Sequence, residues 1–88
     1  MKLIFCSQCY DVVKLHFDRR KCLCGKVWGY YKSDGLNAVI STNAIPLGFA
    51  NSSLVEALKS RPKTGWGKRF EAFIIPEQCD TVEVEKEA

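Results

Sequence analysis

A chain of 88 residues that is 47% hydrophobic and 26% charged is too apolar for intrinsic disorder, yet it lacks an apolar run long enough for a membrane span. It has the length of one domain, and such a chain buries only about 60–65% of its unfolded surface, so its core needs a staple. The formal charge of +3 is uneven: residues 1–76 carry twelve Lys/Arg against five Asp/Glu (+7), and residues 77–88 carry one Lys against five acids (−4).

In chain order, Lys2-Leu3-Ile4-Phe5 reads as a strand running into Cys6-Ser7-Gln8-Cys9, which is answered after twelve intervening residues by Cys22-Leu23-Cys24-Gly25. Two short-spaced cysteine pairs on hairpin bends can aim four sulfurs at one ion, and Gly25 supplies the positive-φ freedom that such a turn uses. The expected occupant of a Cys6, Cys9, Cys22, Cys24 tetrad is structural zinc, with iron as the main rival. The competing readings are two disulfides or a redox C-x-x-C. Disulfides need an oxidising compartment, whereas Lys2 followed by only three apolar residues reads as no signal peptide, so a reducing cytosol is expected. A redox motif needs a βαβ context, and none follows.

Phe5-Cys6-Ser7-Gln8-Cys9 and Arg20-Lys21-Cys22-Leu23-Cys24-Gly25 resemble the two knuckles of a zinc ribbon, in which hairpins clamp one metal as they do in rubredoxin-like sites. The resemblance covers about residues 1–31. It implies the metal but no function, since ribbons occur in transcription, translation, replication and adaptor proteins. The stretch from Asp34-Gly35-Leu36 to Phe49-Ala50-Asn51 is similar to small bacterial and phage proteins, a likeness that brings no activity with it.

Val12 to Phe17 alternates as a strand, with Val13, Leu15 and Phe17 on one face. His16, the only histidine, is expected on the exposed face because four cysteines already complete a ligand shell. Asp18-Arg19-Arg20-Lys21 turns the chain; its cations either grip phosphates or offset the negative charge of a metal tetrathiolate. Val27 to Lys32 and Leu36 to Thr42 read as strands joined at Asp34-Gly35, a hairpin signal. Trp28, Tyr30 and Tyr31 are either core or a stacking platform for bases.

Asn43 to Asn51 reads as an apolar loop around Ile45, Pro46, Leu47 and Phe49, either packed down or offered to a partner. Ser52 to Arg61 reads as a helix with a Ser53/Glu56 capping box, stopped at Pro62, its Leu54, Val55 and Leu58 packed on the sheet. Arg61-Pro62-Lys63-Thr64-Gly65-Trp66-Gly67-Lys68-Arg69 puts four cations around one tryptophan. That loop either binds, or folds Trp66 back as a lid over the core. Phe70 to Ile75 reads as a central strand. Cys79 is expected to be passive, with a reactive thiol or an alternative ligand as the other readings. The acidic residues from 77 onward either lie against the basic body or aid solubility, pairing from Thr81 as an edge strand or fraying.

The expected architecture is a small, β-rich α+β domain over residues 1–76, with an N-terminal four-cysteine zinc ribbon, a β-hairpin and one helix packed on the sheet, followed by an acidic tail over 77–88. A closed thiolate shell, one histidine and no paired carboxylates point away from catalysis. Two binding classes remain. The favoured one is a cytoplasmic protein-interaction module, a regulator or phage-type inhibitor, using Phe49 and Trp66 as apolar anchors with a basic rim. The alternative is RNA or DNA binding through Arg19, Arg20, Lys21, Lys63, Lys68 and Arg69 on phosphates, with Trp66 stacking.

Overall fold

The computed structural model describes residues 1–85. It contains β1 (Lys2–Phe5), β2 (Val12–Lys14), β3 (Arg20–Lys21), β4 (Trp28–Tyr31), β5 (Ala38–Ser41), β6 (Ile45–Phe49), α1 (Asn51–Lys59), β7 (Ala72–Ile74) and β8 (Val82–Glu85). These form a β-rich α+β structure of two four-stranded sheets, ordered β2-β1-β6-β7 and β3-β4-β5-β8.

The chain starts each sheet with a hairpin, β1–β2 and β3–β4, both antiparallel. The Asp34-Gly35 hairpin then joins β4 to β5: Gly35 takes φ 68°, and an Asp34 carboxylate oxygen accepts the N–H groups of Leu36 and Asn37 at 2.9 Å. A tight turn, in which the Ala44 N–H donates to the Ser41 carbonyl at 3.1 Å, carries the chain across to the first sheet. There Ile45–Phe49 pairs with both β1 and β7. This stretch is therefore a central strand and not the expected apolar loop. Its apolar content reflects burial between neighbours, which Pro46 does not prevent at its position.

The two sheets are stitched through Tyr31, whose N–H donates to the His16 carbonyl at 2.7 Å and whose hydroxyl accepts the Lys2 N–H at 2.8 Å. One core runs between them. Ile4, Leu15, Val27 and Ile40 are its deeply buried members, and Cys6 and Cys22 belong to the same cluster.

Three further expectations are corrected. Helix α1 buries no residue, and Leu58 is 62% exposed, so α1 is not packed on the sheet. Its start has no side-chain cap, because Ala50 sits at the cap position. Ser53 Oγ instead donates to the Ala50 carbonyl and accepts the Glu71 N–H, both at 2.9 Å, tying the helix to the chain entering β7. Finally, β7 is the edge of its sheet and exposed throughout, not central. The acidic stretch is an ordered strand over 82–85, parallel to β5. Glu83 pairs with Lys32 at 2.8 Å and Glu85 with Arg19 at 3.8 Å, so it does lie against the basic body. Lys86, Glu87 and Ala88, which end the acidic tail, lie outside the described residues.

Candidate metal centre

Cys6 and Cys9 sit on the bend between β1 and β2, and Cys22 and Cys24 on the bend between β3 and β4. Each bend is closed by the backbone. In the first, Cys6 donates its N–H to the Asp11 carbonyl at 3.0 Å and Tyr10 donates to the Cys6 carbonyl at 2.8 Å. Tyr10 takes φ 61° to do so, a left-handed conformation that is uncommon outside glycine. In the second, Gly25 at φ 76° donates to the Cys22 carbonyl at 3.0 Å, and Cys22 donates to the Val27 carbonyl at 3.1 Å. Asp11 bridges the bends: its Oδ2 accepts the Leu23 N–H at 2.9 Å.

The result is a four-sulfur cluster whose Sγ atoms all lie within 4.8 Å of one another. Cys6 and Cys24 are 3.7 Å apart, and Cys22 and Cys24 are 3.5 Å apart. Those separations are well beyond the S–S distance of a disulfide, about 2.05 Å, and all five cysteines are free in the structure. A tetrahedron with metal–sulfur bonds of about 2.3 Å has edges of about 3.8 Å, so the spacing suits one tetrahedral ion. Cys6 and Cys22 are buried, Cys9 is half-buried and Cys24 is exposed, so the site joins the core to the surface.

The electrostatics point the same way. A backbone hydrogen bond at Cys24 is the largest influence on the Cys9 thiol and lowers it, outweighing desolvation. Burial pushes the Cys22 thiol up, but hydrogen bonds from the Val27 backbone and the neighbouring cysteines bring it down to about 6. For Cys24, a Lys26 backbone hydrogen bond pulls down, but desolvation and the Cys22, Cys6 and Cys9 sulfurs push it to about 12. Packed thiols share their protons: the first thiolate is easy to form, and the last demands a cation. The four residues fit a thiolate-ligated metal of structural type, with no protein ligand position left open to water.

The sequence pointed to the four cysteines that the structure brings together and to Gly25, but not to Asp11 or Tyr10. A carboxylate two residues beyond the first knuckle was the available signal for Asp11. Cys79 is half-buried and lies outside the cluster, its sulfur 3.4 Å from the Thr81 hydroxyl; that hydrogen bond lowers its pKa. His16 is exposed and edge-on to Phe17.

The other candidate residues are spread over different elements. Arg19 lies over the Trp28 ring at 3.9 Å, and Trp28, itself buried, stacks on Tyr30 at 6.3 Å. Its face is thus covered by Arg19. Arg20 and Lys21 form β3, at one edge of the second sheet. Phe49 is half-buried in β6 and packs edge-on against Phe70 at 5.2 Å. Lys63, Trp66, Lys68 and Arg69 lie on the segment between α1 and β7, where every residue from 60 to 71 is exposed. Trp66 is 99% exposed, so it is no lid over the core. Among the described residues, none of the segment's cations enters an ion pair.

No protein-family profile, curated protein or solved structure matches the chain. Among the described residues, no helix is long and apolar enough to cross a membrane.

Proposed function

We propose that this is a non-enzymatic, zinc-stapled interaction module of the zinc-ribbon kind that binds a protein partner in the cytoplasm, as a regulator or inhibitor. The observation that carries the partner reading is the edge strand β7, where Phe73 is 54% and Ile74 66% exposed. An unpaired strand edge that presents large apolar side chains invites another chain. The apolar anchor thus moves from the Phe49 stretch, which is inside the sheet, to the sheet edge. Iron is the alternative occupant of the thiolates, and a colourless preparation with one zinc per chain separates the two.

A second reading, RNA or DNA binding, is favoured by the fully open Trp66 among Lys63, Lys68 and Arg69, with no acid between Glu56 and Glu71. Phosphate contacts and base stacking need such a segment. Titrating zinc-loaded protein with mixed-sequence RNA and DNA across a salt series, while following Trp fluorescence, decides between them. The protein-partner reading expects no tight, salt-steep binding. Binding that weakens steeply with salt and is lost in Trp66→Ala overturns it in favour of nucleic acid.

A further inference from the structure

The two sheets part along one flank. Strand β7 ends the first sheet and β8 ends the second, each with a single strand neighbour. Between these edges lies a groove of about 440 Å³, floored by Ile40, Ile45 and Pro46 and walled by Ile74 on one side and Val82 and Val84 on the other. Its one charged lining residue is Glu77. Ile74 is 66% and Val84 43% exposed, so the walls of the groove are apolar surface left in water.

The backbone of β8 offers the means to cover it. The Ala38 N–H donates to the Thr81 carbonyl at 2.9 Å. Alternation along a parallel ladder then turns the backbone groups of Glu83 and Glu85 toward β5 and those of Val82 and Val84 outward. The Val82 N–H is taken by the Cys79 carbonyl at 3.1 Å. The Val82 carbonyl and the Val84 N–H and carbonyl face out along the edge.

The side chains specify what can lie there. Val82 and Val84 face the groove, whereas Glu83 and Glu85 are on the opposite face, where they meet Lys32 and Arg19. Both carboxylates are more than half exposed and have room for a second cation. A strand laid beside β8 therefore matches it with apolar residues on the groove side and basic residues opposite the glutamates. The β8 of a second copy does not qualify, since glutamate would face glutamate.

We infer that this flank is a docking site for an extended segment of a protein partner in which apolar and basic residues alternate. The segment adds to β8 as a further strand and closes the groove over Val84 and Ile74. The inference rests on the protein-partner reading above and names the chemistry of the partner.

The test uses the zinc-loaded full chain and a fluorescein-labelled peptide of alternating valine and lysine, with binding read by anisotropy. The peptide is expected to bind. A peptide of the same composition with its valines and lysines in separate blocks, and one N-methylated along a single edge, should each bind about tenfold weaker or less. Ile74→Lys, whose fold is checked by near-UV circular dichroism, should weaken the alternating peptide about tenfold, on the order of one lost buried isoleucine. Absence of binding, equal binding of the alternating and blocked peptides, or an Ile74→Lys protein that binds undiminished overturns the inference. Affinity capture from lysate with wild-type and Ile74→Lys protein separates the two levels. A partner held equally by both removes the groove and Ile74 as an anchor but leaves the broader reading of a protein partner, reached through Phe73 or another surface, standing, whereas no captured protein together with no peptide binding removes both.

Discussion

At the scale of single residues, Asp11 is the side chain through which one knuckle holds the other, because its carboxylate accepts the Leu23 N–H between the second pair of ligands. Outer groups that fix ligand geometry typically change metal affinity 10–100-fold. Asp11→Ala is expected to lower zinc affinity about tenfold, and Asp11→Asn, which keeps an acceptor, to recover most of it, both measured by competition with a chromophoric chelator. Protons provide a second prediction. With Cys22 at about 6 and Cys24 at about 12, Cys22 is mostly thiolate at neutral pH and Cys24 is thiol. Metal entry must then expel the Cys24 proton, and below about pH 6 the Cys22 proton as well. The lowered Cys22 pKa keeps that proton from competing with the metal until pH falls to about 6, below which it competes as well. Zinc affinity should therefore decrease with falling pH and steepen below about 6, as read by indicator-dye proton release and by loading at a series of pH values. The ligands were legible in the sequence because thiolate chemistry leaves few uses for two such spacings. Asp11 was not, because one carboxylate beside a cysteine pair looks like any surface acid until the second hairpin is folded over it.

At the scale of elements, strands were legible where a turn residue bounded them, as at Asp34-Gly35. The misreadings share one cause: a chain's apolar content says that a segment is partnered, but not by what. Ile45 to Phe49 looked like a loop because of Pro46 and Gly48, yet it is held between β1 and β7. Helix α1 has the spacing of a packed helix, but its Leu54 and Leu58 side meets no sheet deep enough to bury it. That contrast is testable. Leu58→Ala should change stability by no more than about 0.5 kcal/mol, as for ordinary surface changes. Gly29→Ala should cost about 1–3 kcal/mol through overpacking. A Cβ at Gly29 would meet Leu15 Cδ2 at 2.9 Å, Ile40 Cγ2 at 3.1 Å and the Val39 carbonyl oxygen at 3.2 Å, and these atoms form the floor of the core. Urea melts of both variants at saturating zinc measure the difference, and equal losses would show that α1 is packed after all.

At the scale of the whole molecule, the radius of gyration is 14.4 Å, against about 12 Å for a compact chain of this length. The core is correspondingly thin, and two of its buried members, Cys6 and Cys22, belong to the four-cysteine cluster that can hold a metal. A structural zinc site contributes on the order of 10–16 kcal/mol at neutral pH, comparable to or larger than the 5–15 kcal/mol of net stability typical of a domain. Removing the ion should therefore not leave a folded protein with an empty corner. The four sulfurs would be left repelling or reprotonating, and the hairpins that carry them also supply Ile4, Leu15 and Val27 to the core. The two tryptophans make this readable. Trp66 is fully solvated and contributes little near-UV ellipticity, while Trp28 is buried beneath Arg19 in β4, so the near-UV signal reports the packing of the second hairpin. Adding a strong zinc chelator should abolish that signal and return it when zinc is restored. The exposed Trp66 emission should change far less. A near-UV spectrum that survives complete metal removal would mean that the interface between the sheets, stitched by Lys2, His16 and Tyr31, holds without the ion, and the cluster would then be a bound cargo site rather than the staple of the fold.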